Sequence, residues 1–446
     1  MSVLSSPLAG LPNEEAVGAS ALRKASWRLL PLIAIGYGIA YMDRVNVSFA
    51  ALQMNQALHF SASVYGFGAG LFFLSYAACE VPSNLLLVRF GARRWLARIM
   101  FTWGLLSIGM MFVKTAPQFY IMRFLLGVAE AGFFPGIIYY LSRWFPARQR
   151  ARAVSRFYIS LPLSSVVMGS LAGVLLQLQG RSGLAGWQWL FLIEGLPAIV
   201  LGVVFLVVLP DGPETAAWLD TDERRWLLGS LRRDDAAAGV HTSSEVGYAL
   251  RQVRVWVLGI FLLFVYIGNY SYAFTAPSII QRVTGFSAIR VGFVIAMLGV
   301  LGAISMLANG LHSDKTGERH LHVMLPCLVT TSGFCIAGLA KGPVSLVLGL
   351  ACIMIGFNGI NAAVWTIPCS FLVGKSAAAG IAAINMIAIV GGFVGPYWMG
   401  FAADFLGSYQ RGLLACAIPS LLAATIIFGI WRFTQRNPSI PPPDCR

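Results

Sequence analysis

The chain has 446 residues, 57% hydrophobic and only 11% charged, against roughly 25% charged in a soluble globular protein. That composition excludes an ordinary soluble domain and places the chain in a membrane. Its net charge of +14 suggests nucleic acid by amount but topology by placement.

About 20 apolar residues cross the hydrocarbon, and twelve such windows lie near 29–51, 65–88, 96–113, 118–141, 154–177, 188–209, 255–277, 290–311, 322–340, 343–367, 378–401 and 412–433. With the N-terminus inside, the inner segments hold 24 of the 32 Lys and Arg, the outer ones six, and Arg44 and Arg123 stay within spans. This bias puts both termini in the cytoplasm of a cell whose inner, or plasma, membrane the chain crosses many times. The first 22 residues show no apolar core with a small-residue cleavage site, so span 1 directs insertion. The expected divisions are a tail at 1–25, a first six-helix bundle at 26–209, a cytoplasmic linker at 210–254, a second bundle at 255–434 and a tail at 435–446. The fold class is all-α integral membrane, with twelve transmembrane helices in two pseudo-symmetric six-helix bundles. The seven cysteines contain no C-x-x-C pair and read as small packed hydrophobes. The five histidines show no metal spacing, and His320 and His322 read as solvated at a loop edge.

In chain order, residues 1–25 read as polar, small and mobile. Span 1 ends in Tyr41-Met-Asp43-Arg44-Val-Asn46, with a carboxylate and a guanidinium well inside the helix. Adjacent residues point about 100° apart, so each is free to seek a partner on a neighbouring helix. Span 2 carries Tyr76 and Glu80 one turn apart and leaves through the basic turn Val88-Arg89-Phe-Gly91-Ala-Arg93-Arg94. Span 4 holds Arg123 and Glu130, seven residues apart and so on one face of a helix, about 10 Å apart along its axis. Between them Gly127, with Ala131, keeps the flank thin for another helix. A charge near the bilayer centre costs roughly 2.5–3.5 kcal/mol or more and survives by facing protein or a water-filled cavity. Two readings fit span 4 alone: a buried structural ion pair, or a functional site.

After span 4, Arg143, Arg148, Arg150, Arg152 and Arg156 are explained by orientation and anionic lipid. Span 5 carries Tyr158, Pro162, Gly169 and Gly173. Trp187 and Trp189 open span 6 as an interfacial belt, and its Glu194 reads as shallow enough to be solvated. In 210–254 a short surface helix is expected around 221–231, capped by Thr221 with Glu223 early.

The second half reads as a degenerate repeat of the first. After span 8, Gly310-Leu-His-Ser-Asp314-Lys315-Thr-Gly317-Glu318-Arg319 matches the turn after span 2. Its spans carry polar and aromatic groups rather than charges: Asn269, Tyr270 and Tyr272; Asn358, Asn361 and Trp365 on one face; and Asn385. Buried charges in one half facing amides and rings in the other suit a solute cavity between bundles better than a purely structural network.

These turns and the twelve-span layout resemble the major facilitator superfamily, whose signature G-x-x-x-D-R-x-G-R-R occupies these loops. More narrowly, Tyr41-x-Asp43-Arg44-x-Asn46, Gly127-x-x-Glu130-Ala-x-x-x-Pro135 and Trp144-Phe-Pro146-x-x-x-Arg150-x-Arg152-Ala resemble its anion:cation symporter branch, which holds bacterial permeases for tartrate, sugar acids, phthalate and hydroxyphenylacetate. The resemblance implies that Arg44 binds substrate carboxylate, that Asp43 and Glu130 carry protons with Arg123 as partner, and that Tyr41, Tyr76, Trp365 and Asn385 belong to the cavity with Asn358 and Asn361. It makes Arg89, Gly91, Arg93, Gly310, Asp314, Lys315, Gly317 and Arg319 gating-loop residues. Val88 stands where the first-half signature has an aspartate, so the expected charge lock rests on Asp314. Span 5 lacks the Gly-Pro-x-x-Gly-Gly pattern of proton-linked drug antiporters.

The resulting expectation is a proton-driven importer of small organic carboxylates working by alternating access as a monomer, with lipid around it and no cofactor, metal or nucleic acid. Its rivals are an uncoupled facilitator or exchanger of carboxylates and, from another class, a non-transporting membrane sensor. No enzyme motif is present. The residues leave open which carboxylate is carried and which of Asp43 and Glu130 is the essential proton site.

Overall fold

A computed structural model describes residues 14–146, 149–150, 153–154, 157, 160–237, 244–369, 371–372 and 374–436. Residues 1–13, Arg148, Arg152, Arg156, Tyr158 and 437–446 lie outside the described residues. Every regular element among the described residues is helical. The first half comprises α1 (Glu14–Ala57), α2 (Ala62–Phe90), α3 (Ala92–Gly109), α4 (Ala116–Glu130), α5 (Phe133–Ser142), α6 (Ser160–Leu175) and α7 (Gly186–Val208). The loop region holds α8 (Thr221–Ala237) and α9 (Ser244–Arg251). The second half comprises α10 (Val253–Thr284), α11 (Ala288–Thr316), α12 (Leu321–Gly338), α13 (Pro343–Ala363), α14 (Thr366–Cys369), α15 (Gly374–Phe405) and α16 (Tyr409–Arg436).

Ten helical stretches among the described residues are long and apolar enough to cross a membrane; α1 is outside that set and Leu163–Leu178 is a shorter apolar helix. An all-helical chain is what a bilayer demands, because each backbone N–H and C=O must find its partner within its own segment. Prolines lie inside α1, α2, α7, α10, α12, α15 and α16.

Three local outcomes differ from the sequence reading. The first helix begins at Glu14, so residues 14–25 are helical where a tail was expected. The reason is a partner: α8 lies against this extension, with Gly18 so close to the Trp226 ring that a Cβ would come within 2.4 Å. Lys24 Nζ bridges Glu223 at 2.8 Å and Asp220 at 3.0 Å, and Ser20 Oγ donates to Glu223 at 2.7 Å. Asp220, not Thr221, precedes the helix, and its N–H donates to Glu223 at 3.0 Å as in a capping box. The 118–141 span is also interrupted. α4 stops at Glu130, Gly132 takes φ +84°, and Ser83 Oγ donates to the freed Ala131 carbonyl at 2.6 Å. Finally, Glu194 on α7 is buried rather than solvated, at 4% exposure.

The two halves of the chain meet at one end. α2 packs on α15 and α6 on α11, through backbone approaches that only glycine permits: a Cβ on Gly66 would sit 2.3 Å from the Pro396 carbonyl, and one on Gly292 2.0 Å from that of Gly169. Asp404 accepts the N–H groups of Ala62 at 3.2 Å and Ser63 at 2.7 Å, and Tyr65 donates to the Phe274 carbonyl at 2.8 Å. Toward their opposite ends α2 and α11 leave Leu85, Val88, Leu307 and Leu311 exposed. The halves are therefore packed together at the Ala62 end.

Candidate functional site

The site is built where α1, α2 and α4 cross. Gly127 brings α4 so close to α2 that a Cβ there would lie 2.3 Å from the Phe72 carbonyl, as the thin flank around it implies. This approach sets Glu130, at the last turn of α4, beside α1. Arg44 Nη2 donates to Glu130 Oε1, with the arginine side chain 17% and the glutamate 1% exposed. The second carboxylate oxygen, Oε2, has no hydrogen bond. The guanidinium lies 5.6 Å from the Phe72 ring centroid and 5.4 Å from that of Tyr76. Tyr270 of α10 lies near the same guanidinium. Groups from both halves of the chain thus converge on Arg44.

The expected pairing of Arg123 with Glu130 is not formed. Both are buried, but Glu130 is held by Arg44, and Arg123 sits 5.0 Å over Phe72 with Nη2 on the Ala69 carbonyl at 3.3 Å. Sharing a helical face aims both inward without joining them, because the arginine reaches α2 while α1 supplies the nearer cation. Phe72 consequently lies between two guanidiniums, each within the range of a cation–π contact.

Asp43 points the other way from its neighbour, as adjacent helical residues must. It accepts from Trp103 Nε1 at 2.8 Å, from Asn46 Nδ2 at 3.1 Å and from Ser107. Tyr41 faces Ser165 of α6. Glu80 is half-buried one turn beyond Tyr76.

Among the second-half candidates, Asn358 and Asn361 spend an amide hydrogen on their own helix, donating to the Met354 carbonyl at 3.0 Å and the Phe357 carbonyl at 3.1 Å. Trp365 lies in the break between α13 and α14, against the apolar cluster around Ile360 and Val364. Asn385 is half-buried on α15, one turn before Ile389, which joins the first-half core. Of the aromatic groups here, sequence reasoning named Tyr270 and passed over Tyr266 and Tyr37. Tyr266 and Tyr270 contact each other at 5.7 Å, and Tyr270 meets Phe73 at 4.4 Å. Tyr37 stacks edge-on to Phe157 at 5.2 Å. A signal existed: Tyr37, Tyr41 and Arg44 follow helical spacing, as do Tyr266 and Tyr270.

The two loop turns differ. In the second, Gly317 at φ +70° closes α11, and Arg319 donates to Asp314 at 2.6 Å and to Ser313 at 2.9 Å. Gly310 packs near Ala362 and Lys315 is exposed. Ring nitrogens of the exposed His312 and of His322 lie 2.6 Å apart, with Glu318 3.2 Å from His322, so His322 is partnered where the sequence reading had it solvated. Burial pulls the His320 imidazole below its usual range, against the opposing field of Glu318. In the first turn Gly91 takes φ +88°, Arg89 is exposed, and Arg93 lies 3.5 Å from Asp211. The acid missing at Val88 is thus supplied from the segment after α7. Among the described residues no group of three or more His, Cys, Asp or Glu is placed to hold a metal.

The chain is similar to a protein of Agrobacterium vitis provisionally named a tartrate transporter, with 46% identity over 92% of this chain and 90% of the relative. It is 36% identical to a quinolone resistance transporter of Acinetobacter baumannii, over 93% of this chain and 96% of the relative. Its fold matches the crystal structure of a bacterial homologue of the human lysosomal transporter Spinster in an inward-facing, unoccupied conformation, with TM-score 0.77, 15% identity, and coverage of 96% of this chain and 99% of the other. The family profile of the Major Facilitator Superfamily matches residues 33–396. With the apolar helices, these likenesses make it a multi-pass membrane protein and a transporter rather than an enzyme: the chain belongs to the Major Facilitator Superfamily.

Proposed function

We propose that the chain imports a small organic carboxylate together with protons across a bacterial inner membrane, by alternating access of two six-helix bundles. On this reading α1, the ten apolar stretches and the Leu163–Leu178 helix make twelve spans, six on either side of 210–254. The basic end is cytoplasmic by the positive-inside rule, so both termini are inside. The working unit is one chain surrounded by lipid.

The observation that carries the reading is the Arg44–Glu130 pair in an aromatic setting. A guanidinium presents a planar fork suited to a carboxylate, and here Glu130 occupies it. A substrate carboxylate needs the same fork. Protonation of Glu130 removes the competing charge and frees Arg44 for the anion, whereas an anion arriving without a proton adds an uncompensated charge to a low-dielectric site. With one proton taken up for each negative charge carried, empty and fully loaded sites carry equal charge, and those are the states free to reorient. Phe72 packs against the guanidinium, Arg123 on the same ring adds positive charge that favours an anion, Asp43 is the second candidate proton carrier, and Tyr41, Tyr76, Asn358, Asn361, Trp365 and Asn385 line the path. Relatives provisionally named for tartrate transport support the carboxylate class.

Uptake of radiolabelled tartrate and other carboxylates into proteoliposomes, with the interior buffered above the exterior pH, tests this. Accumulation above equilibrium that collapses with a protonophore is expected. Equilibration without accumulation points to a facilitator or exchanger, and binding without any flux points to a sensor.

A further inference from the structure

Glu194 is a carboxylate that the site above does not use. The crossing of α3 and α7 is tight, with a Cβ on Gly195 placed 2.9 Å from the Gly104 carbonyl. That contact holds Glu194 beside the α3 face that carries Trp103 and Ser107. Its side chain is 96% buried, and no hydrogen bond of ordinary length and angle reaches either carboxylate oxygen. Asn46 of α1 faces it, and Asn46 donates Nδ2 to Asp43 instead. Among the groups facing Glu194 from α1, α3, α6 and the 110–112 turn, the titratable one is Asp43. Asp43 itself faces Glu130 and Arg123 of α4.

The geometry points to a buried proton-binding dyad formed by Asp43 and Glu194 with Asn46 between them, distinct from Glu130, holding one proton on Glu194 while the transport site is empty. The assignment of the proton follows from the donors. Asp43 accepts three hydrogen bonds and lies in the field of Arg123, so its negative charge is compensated. Glu194 has no such donors, no cation, and a like charge beside it. An isolated ionised carboxylate in that position costs several kcal/mol, and the group takes up a proton instead. The ligand of this site is the proton; a monovalent metal ion would need the inward-turned oxygens that Trp103, Ser107 and Asn46 already engage.

The inference rests on the membrane-embedded reading of these helices but not on the identity of the substrate, and its test needs no transport. Infrared difference spectra of the purified chain, in light and heavy water, read the carbonyl stretch of a protonated carboxylic acid. At neutral pH the parent is expected to show a band of a weakly hydrogen-bonded acid that Glu194→Gln loses and Glu130→Gln keeps. If Glu194→Gln does not fold, Glu194→Asp retains the acid and must move the band. In Asp43→Asn, where the like charge is gone, the pH at which the Glu194 band bleaches should fall by about one unit or more, as for coupled carboxylates. A spectrum unchanged by both Glu194 variants, a bleaching pH unmoved in Asp43→Asn, or a parent band that appears only when sodium is removed would overturn the dyad.

Discussion

The two halves of the chain face each other across the Arg44 site with different chemistry. From α1, α2 and α4 come Arg44, Glu130 and the rings of Phe72 and Tyr76, and from α10 comes Tyr270, while Asn358 and Asn361 of α13 bond their own helix. On the proposed function, the charged half exchanges protons and holds the anion, while the neutral half shapes the cavity without adding charges that would have to be balanced when the halves separate. Each half also has an interrupted helix beside this face: α4 breaks after Glu130 through Gly132, and α13 breaks at Val364–Trp365 in ordinary helical-region backbone. The break in the charged half thus depends on one residue type, and the other does not.

The largest effect expected is from Arg44→Lys, which keeps the charge and removes the fork. Loss of one charge-assisted hydrogen bond of about 1.5–3 kcal/mol lowers apparent affinity about tenfold to hundredfold. Uptake with unchanged apparent affinity would mean that the charged half does not bind substrate through Arg44. Next is Gly132→Ala. At φ +84°, and with its new Cβ 2.4 Å from Ser83 Oγ, it should destabilise the protein by about 1–2 kcal/mol or more, read by thermal unfolding in detergent. Alanine replacement of Val364, in the matching break, should cost only its lost packing.

These residues show what was legible in the sequence. Hydropathy reveals most of the spans because burial in lipid leaves a composition signal, and the charges inside them mark the site for the same reason. Pairing was not legible: helical spacing aims Arg123 and Glu130 to one side, but only the approach of α2 and α4 at Gly127 decides that Glu130 meets Arg44. Tyr270 of α10 was legible as a polar, aromatic group within its span, whereas Tyr266 was passed over until the packing set it against Tyr270. Asp211 was hidden because its partner Arg93 is remote in the chain, and the helical start at Glu14 because its partner α8 lies some two hundred residues away.

A third prediction compares the loop turns. Asp314 sits in a local network with Arg319 and Ser313, whereas Arg93 depends on the distant Asp211. Asp314→Asn and Asp211→Asn should each shift the inward–outward balance, and Val88→Asp should shift it less. Labelling of single cysteines at the two ends of the site measures this, and equal, negligible shifts would show that neither turn is a lock.

The smallest expected effect is on the α1–α8 contact. Burial raises the Glu223 pKa, but hydrogen bonds from Lys24, Ser20 and the Asp220 N–H outweigh it, and the group is held below the usual carboxylate range. Hydrogen bonds to Glu223 and Asp220 raise that of Lys24. The contribution of Glu223 is therefore present above its unfolded pKa and lost as pH falls through its folded one; that of Lys24 is present below its unfolded pKa and lost as pH rises through its folded one. Glu223→Gln should lower the unfolding temperature slightly at neutral pH, and the gap to the parent should close under acid. A gap that persists at low pH would assign the effect to packing.

The central claim is that a proton on Glu130 releases Arg44 for the substrate, and Glu130→Gln tests it most directly because the amide mimics the protonated acid. Proteoliposomes carrying this variant should still bind substrate and exchange internal for external substrate. They should no longer concentrate it when a pH gradient is imposed. Vesicles that still accumulate substrate under that gradient would contradict the account and move coupling to another carboxylate such as Asp43.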